Sequence, residues 1–190
     1  MGTGRINEPD LLKLMLEVAG VPGDFAEIGA WQGVTTRMML PEAVRQDKLV
    51  HVFDSFHGLA PPGPHDNDYF TDFNVGGVRV FAELMSRHGA DARGYRLWPG
   101  WIPACFDDAF EMDALSFVYL DVDHYQPTFD ALVWLWPRLS PGALLLLDDV
   151  CFGNKGVSLA LTTFLAEAQD ILWTRQDIAN DQTVLRIGGR

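Results

Sequence analysis

Basic side chains are scarce in this chain: 14 Lys and Arg stand against 26 Asp and Glu, a formal net charge of −12 over 190 residues. Nucleic-acid affinity depends on Lys and Arg neutralising phosphates, so no nucleic-acid partner is expected. Cysteine is nearly absent. Cys105 and Cys151 stand alone, without the CxxC spacing of a structural zinc site or the regular framework of a secreted disulfide scaffold. No apolar run approaches the ~20 residues of a membrane-spanning helix. The opening MGTGRINEPD lacks an apolar stretch of signal-peptide length, and Ile6 occupies the place where a myristoylation motif has Ser or Thr. These absences point to a cytoplasmic protein with no membrane partner. What is plentiful is apolar content, 48%, enough for one large core, and residues 1–190 read as one domain.

Strand-like and helix-like segments alternate. Residues 9–19 read as a short amphipathic helix within an amino-terminal segment 1–22. Strands are expected at 24–29, 48–53, 95–99, 114–120 and 143–147, and helices at 33–45, 77–88, 128–139 and 157–169. A closing strand pair is expected at 171–174 and 183–187 around the polar string IANDQ. This alternation predicts an α/β fold, a mainly parallel sheet with helices on both faces. The Gly- and Pro-rich stretch DSFHGLAPPGPHDNDYF interrupts it, and a long loop in a compact domain is usually functional or disordered. Residues 55–75 are read as a gate above the strand carboxyl ends, with rigid packing by Tyr69, Phe70 and Phe73 as the alternative.

Two acidic strings, LDVDHY from Leu120 and LDDV from Leu147, follow the apolar runs FVYL and ALLLL. Carboxylates at the ends of neighbouring buried strands converge on one crevice, where like charges disfavour one another unless a proton or a cation lies between them. A hard divalent ion is the natural occupant. Upstream, FAEIGAWQG runs from a strand through a glycine turn into a helix. Gly29 lets the backbone pass closely under a ligand, and Gly33 allows tight packing where the helix starts. Trp31 and Val34 break the GxGxxG pattern, which disfavours a pyrophosphate-binding dinucleotide turn. Glu27 would either hold an ammonium group or order the loop. Asp54, ending the second strand, is placed to accept hydrogen bonds from the ribose hydroxyls of an adenosine.

In order and spacing, EIGAWQGVTT, VFDSFHGL, LWPGWIP, YLDVDHYQPTFDALVWLWPRLSPGALLLLDDV and KGVSLALTTFL resemble the macrocin O-methyltransferase family. More distantly, EIGAWQG and the LD and DD strings resemble catechol O-methyltransferase. The resemblance implies a Rossmann-like class I methyltransferase with a seven-stranded sheet, binding S-adenosyl-L-methionine and Mg2+. It implies methyl transfer to a hydroxyl of a small molecule, a sugar or phenol of a natural product. It assigns Glu27, Gly29, Ala30 and Gly33 to the cofactor turn and Asp54 and Ser55 to the ribose side. Gly100 and Trp101 would lie beside adenine, and Asp121, Asp148 and Asp149 would be the metal ligands. Departures fall on the acceptor side, at His57, Val122 and Gln126–Pro127. The family also usually carries a longer amino-terminal segment than the roughly 23 residues that precede the first strand here.

His124 falls where the catechol enzyme has its lysine base, and an imidazole with a pKa near 6.5 suits proton transfer near neutrality. It reads equally as a loop histidine or a partner of Asp123. His51, inside a strand, reads as a hydrogen-bonded core residue, and His88 as a helix carboxyl-terminal residue. His57 and His65 are loop residues with an acceptor-binding alternative. Trp101 is read as stacking on adenine or packing in the core. The run Trp134, Leu135 and Trp136 reads as helix-on-sheet packing, with a homodimer interface as the alternative. Two rival functions are a metal-dependent hydroxylase on the same sheet, for which histidine near the acids is scarce, and a non-catalytic cofactor-binding protein.

Overall fold

The computed structural model describes residues 6–66, 72–109, 112–150, 155–168, 172–178 and 181–188. Seven strands, β1 (Asp24–Ile28), β2 (Val50–Asp54), β3 (Tyr95–Pro99), β4 (Leu115–Leu120), β5 (Leu139–Leu147), β6 (Trp173–Ile178) and β7 (Gln182–Ile187), form one sheet in the order β3-β2-β1-β4-β5-β7-β6. β1 to β5 are parallel, and β7 inserts antiparallel between β5 and β6. This is the α/β, Rossmann-like class I methyltransferase sheet that the alternation and the resemblance predict.

Side-chain alternation along the strands separates two cores. Ala26, Ile28, Val118, Leu120, Leu145 and Leu147 face α4 (Tyr125–Leu135) and α5 (Lys155–Glu167). Phe25, Val50, Val52, Phe117, Tyr119 and Leu146 face α1 (Glu8–Glu17), α2 (Val34–Arg45) and α3 (Val78–Arg87). A strand reverses its face every residue, so runs such as FVYL and LLLL are apolar throughout because helices cover both sides.

Several boundaries differ from expectation for identifiable reasons. α4 begins at Tyr125, not 128, because Pro127 is tolerated in a first turn whose amides lack intrahelical partners. It gives way to a 3-10 turn at Trp136–Arg138, because Pro137 has no N–H to continue the helical ladder. β5 begins at Leu139, which pairs with Leu115. The closing strands are longer than expected and reach six residues each. The expected packing role of Tyr69 and Phe70 lies outside the described residues, as does the environment of Cys151.

Trp134 stacks on Phe106 at 4.3 Å between ring centroids and carries the Arg138 guanidinium at 4.3 Å, while Leu135 and Trp136 are buried. That run is therefore used inside the subunit. His51 is a core residue: Nε2 lies 3.0 Å from Asp24 Oδ2, and Nδ1 accepts from Trp98 Nε1 at 3.1 Å. His88 caps α3 at its carboxyl end.

After β1 the chain builds outward through β2 and β3, then returns to place β4 on the other side of β1. Consecutive loops therefore diverge above β1 and β4. In open α/β sheets that divergence opens the ligand crevice at the strand carboxyl ends.

Candidate active site

A cavity of about 340 Å³ occupies that crevice, and Gly29, Asp54, Ser55, Gly100, Trp101, Asp121, Asp148 and Asp149 all line it. Eight of the expected site residues, from the ends of the five parallel strands, thus meet in one place. Thr35, Trp31, Ile102 and Asp123, which the sequence does not single out for the site, also line it, as do Leu59 and Phe73 from the expected gate segment.

The β1 turn is held from both sides. Gly29 N donates to Phe53 O at 2.8 Å, and Asp121 N donates to Ile28 O at 2.8 Å. Gly29 has φ +88°, and a Cβ there would lie 1.7 Å from the Asp121 carbonyl oxygen. The glycine is thus required by the neighbouring strand's backbone as well as by any ligand above it. Gly33 has φ +70°, and a Cβ would meet Met85 Sδ at 2.6 Å and Phe81 at 2.9 Å. Its small size serves the packing of α2 on α3, and it lies outside the cavity lining, contrary to the expected packing on cofactor.

Glu27 is 1% exposed, accepts from Thr36 Oγ1 on α2, and is not among the lining residues. Of its two readings, ordering the local structure is the one the geometry favours. Asp54 Oδ2 accepts from Ala30 N at 2.7 Å and Trp31 N at 2.9 Å, and Oδ1 accepts from Phe56 N at 2.6 Å. One carboxylate therefore ties the β2 end to the β1 turn while facing the cavity, and Ala30 enters the site through its amide. Ser55 Oγ donates to Gly58 O at 2.7 Å and accepts from His57 N at 3.0 Å. Trp101 is half exposed, and its Nε1 donates to Gly58 O at 3.3 Å. Its ring is a cavity wall and not core packing.

The acids divide differently from the expected set. Asp121, Asp123 and Asp149 bring carboxylate oxygens within 4.8 Å of one another. Asp148 instead accepts from the buried Tyr119 hydroxyl at 2.5 Å through Oδ2, and from Gln182 Nε2 at 3.1 Å and Asp149 N at 3.0 Å through Oδ1. Asp148 is thus held, buried, beside the cluster that Asp123 joins. The chain leaves β4 and β5 through left-handed residues, Asp123 (φ +62°) and Asp149 (φ +58°), a conformation Asp tolerates better than most residues. The signal for Asp123 was present in LDVDHY, since residues two apart on an extended segment share a face.

His124 is 4% exposed at the amino end of α4, outside the cavity lining, and its Nε2 has no hydrogen-bond partner in the described structure. Burial at the helix start keeps His124 out of the cavity lining, whereas Asp123, one residue earlier, lines it.

Burial, the charge of Asp149 and a hydrogen bond to it push the Asp123 carboxyl up to about 7. Burial, opposed by the bonds from Tyr119 and Gln182, pushes Asp148 up to about 6. A carboxyl raised in the folded state binds more protons there than in the unfolded chain, so its contribution to stability falls as pH rises from about 4 to about 7. In chelator, Asp123→Asn should therefore melt higher than the parent at pH 8, by a few degrees per kcal/mol relieved, and the difference should vanish near pH 4. A difference independent of pH, read by calorimetry, would contradict the raised carboxyl.

The donor set fits a hard cation: three carboxylates offer oxygen ligands alone, and their mutual repulsion is what a dication relieves. The other side of the cavity fits a nucleoside, with an acid at the β2 end and an exposed indole near it. No described helix is long and apolar enough to cross a membrane.

Among curated proteins, the chain is 31% identical over 145 residues to mycinamicin III 3''-O-methyltransferase of Micromonospora griseorubida, covering 70% of this chain and 57% of that protein. It is 33% identical over 141 residues to 8-demethyl-8-(2,3-dimethoxy-alpha-L-rhamnosyl)-tetracenomycin-C 4'-O-methyltransferase of Streptomyces olivaceus, covering 68% and 54%. The chain thus spans little more than half the length of these relatives. The solved O-methyltransferase NovP superposes with a TM-score of 0.78 at 24% identity, over 96% of this chain and 79% of that one, a likeness of fold. With the sheet order, the acid-lined crevice and a match of residues 1–181 to the model of the Macrocin-O-methyltransferase (TylF) family, the chain belongs to the macrocin O-methyltransferase family.

Proposed function

We propose that this chain is one methyltransferase domain that moves the methyl group of S-adenosylmethionine to a hydroxyl of a small molecule, with a divalent cation, Mg2+ by preference, at Asp121, Asp123 and Asp149. The observation that carries the reading is the single cavity shared by the carboxylate cluster and the Asp54–Trp101 side. Two relatives are named as O-methyltransferases of mycinamicin III and of a rhamnosyl-tetracenomycin, which supports a sugar or phenol of a natural product as acceptor.

Asp54 holds the ribose hydroxyls, and the Gly29–Trp31 turn fixes the methionine end. Trp101 offers its exposed face to adenine. Bound here, a hard dication lowers the pKa of a ligated hydroxyl and S-adenosylmethionine supplies an electrophilic methyl carbon. Asp123 would hold the cation through one carboxylate oxygen, and its other oxygen would accept the acceptor hydroxyl's proton. Asp148, fixed by Tyr119 and Gln182, holds the β5 end so that Asp149 stays aimed at the cluster. Positioning oxygen against carbon supplies most of the remaining acceleration. The hydroxylase reading is disfavoured, because an iron facial triad takes two histidines with one carboxylate and no described lining residue is a histidine. A homodimer would have to use a surface other than the Trp134–Trp136 run.

Calorimetry with S-adenosylmethionine tests the cofactor side. Asp54→Ala should weaken affinity by about 1–3 kcal/mol, the range for bonds to a charged group. Tight NAD binding without S-adenosylmethionine affinity would reverse the reading. A gain of one methyl, sought by mass spectrometry in pooled hydroxylated metabolites, separates an enzyme from a non-catalytic cofactor binder.

We further propose that segment 55–75 gates the acceptor. Leu59, Ala60 and Phe73 from it line the cavity. Phe56 anchors it against Phe81, a bridge pairs His57 with Asn74, and Asp66 Oδ1 accepts from Tyr125 N at 2.6 Å. Asp66→Ala removes the tie to α4 and should raise the acceptor KM severalfold while leaving S-adenosylmethionine affinity unchanged. Unaltered steady-state kinetics would remove the gate from the mechanism.

A further inference from the structure

The first turn of α4 is poorly equipped to hold itself. Its N-cap, His124, makes no side-chain bond to that turn, no acid stands in it, and Pro127 has no N–H. Directly before the helix, Asp123 is the centre of a three-residue turn in which His124 N donates to Val122 O at 2.7 Å. Its φ of +62° is that of the rarer and more strained hand of such a turn. A backbone in that region persists only where its surroundings hold it there.

One such hold comes from 59 residues away in sequence. Asp66 Oδ1 accepts from Tyr125 N, the first amide of α4, at 2.6 Å, and the centroid of the His65 ring lies 4.6 Å from that of Tyr125. The carboxylate arrives already oriented. Pro64 stiffens a turn in which Asp66 N donates to Gly63 O at 3.1 Å and Gly63 N donates to Asp66 Oδ2 at 2.7 Å. Each oxygen of Asp66 thus has its own task, one inside segment 55–75 and one on the helix. Without Asp66, the acid best placed in sequence to take the Tyr125 amide is Asp123, because an Asp side chain readily accepts from the amide two residues on. That bond would draw Asp123 away from Asp121 and Asp149, the other two members of the cluster.

We propose that Asp66 is a positioning residue for the cation site: by capping α4 from the gate segment it keeps the Asp123 carboxylate in the cluster, so that docking of the gate and binding of the cation favour each other. The inference rests on the metal-dependent methyl-transfer reading and adds to it a coupling between gate and metal. Asp66 is not itself one of the clustered acids, so its influence passes through α4. By linkage, whatever the docked gate adds to cation affinity, the cation returns to docking.

Calorimetric titration of the full chain with Mg2+, beside bound S-adenosylmethionine, reads cation affinity without acceptor or turnover. Asp66→Ala should weaken Mg2+ binding about fivefold, the scale of a lost helix cap. Asp66→Asn keeps an oxygen for the Tyr125 amide and drops the charge, so it should stay within about twofold of the parent. A cap that served stability alone would lower the melting temperature and leave the Mg2+ affinity of the folded protein unmoved. Unchanged Mg2+ affinity in Asp66→Ala therefore overturns the proposal, and so does an equal loss in both variants, which would assign the effect to the missing charge. In the parent, Mg2+ should slow hydrogen exchange at the Gly63 and Tyr125 amides severalfold, and exchange indifferent to Mg2+ likewise overturns the coupling. A parent that binds no Mg2+ at all refutes the metal reading itself, an outcome distinct from a parent that binds it and a variant that binds it equally well.

Discussion

Asp121→Asn, or removal of divalent cations by chelation, is expected to lower methyl transfer by about 10³-fold or more, the scale on which loss of a charge-stabilising group in an active site is usually felt. S-adenosylmethionine affinity should stay within about threefold, because Asp54 and the β1 turn hold the cofactor side. Asp121 shares its cluster with Asp123 and Asp149 at oxygen separations within 4.8 Å. Without a cation these groups can only share protons, which leaves the acceptor hydroxyl at its ordinary acidity. Restoring Mg2+ should restore turnover to the chelated parent and not to the variant. The two possible ligand sets are separable. Asp148, occupied by Tyr119 and Gln182, should when changed to Asn weaken metal affinity less than Asp149→Asn does, as read by metal titration. Full turnover in chelator with a confirmed acceptor would refute the metal-dependent mechanism.

Gly29→Ala should cost at least about 4 kcal/mol, a loss that single substitutions reach only through a definite steric or electrostatic fault. The fault is on view: the new methyl would lie 1.7 Å from the Asp121 carbonyl oxygen, which the β1–β4 pairing holds in place, and the backbone sits at φ +88°. Relief needs movement of two central strands. The melting temperature should fall by roughly 10 °C or more for a chain of this size, or the variant should fail to accumulate folded. Gly89→Ala is the matched control. Its φ is +77° but nothing lies within 4 Å of the added methyl, so only the backbone penalty of about 1–2 kcal/mol remains. Similar melting temperatures for the two variants would show that the strand contact does not set the requirement.

Most of the architecture was legible in the chain because its signals are local. The runs FVYL and ALLLL are too apolar for a surface strand, and their alternation with helical segments implies a sheet covered on both faces. The glycine turn and two acidic strings then had to end up at strand carboxyl ends, where topology opens the crevice. The boundaries that moved did so at Pro127 and Pro137, whose effect depends on whether they fall in the first turn of a helix or beyond its end. The resemblance placed Asp121 and Asp149 in the site, and the structure keeps both among the cavity walls.

What the sequence determined by itself is the sheet, its order of elements and the convergence of acids on one crevice, because hydrophobic period and turn chemistry are written along the chain. What only the tertiary structure decided is how neighbouring residues divide their work. Asp123 enters the cluster and His124 is buried beside it because Asp123 itself adopts a left-handed conformation and turns the chain. Both Asp148 and Asp149 line the cavity, but Asp149 joins the carboxylate cluster while Asp148 braces, because Tyr119 on β4 and Gln182 on β7 claim the first carboxylate. Glycine at 29 answers to a carbonyl 92 residues away in sequence, a distance that no local pattern encodes and that only strand pairing closes.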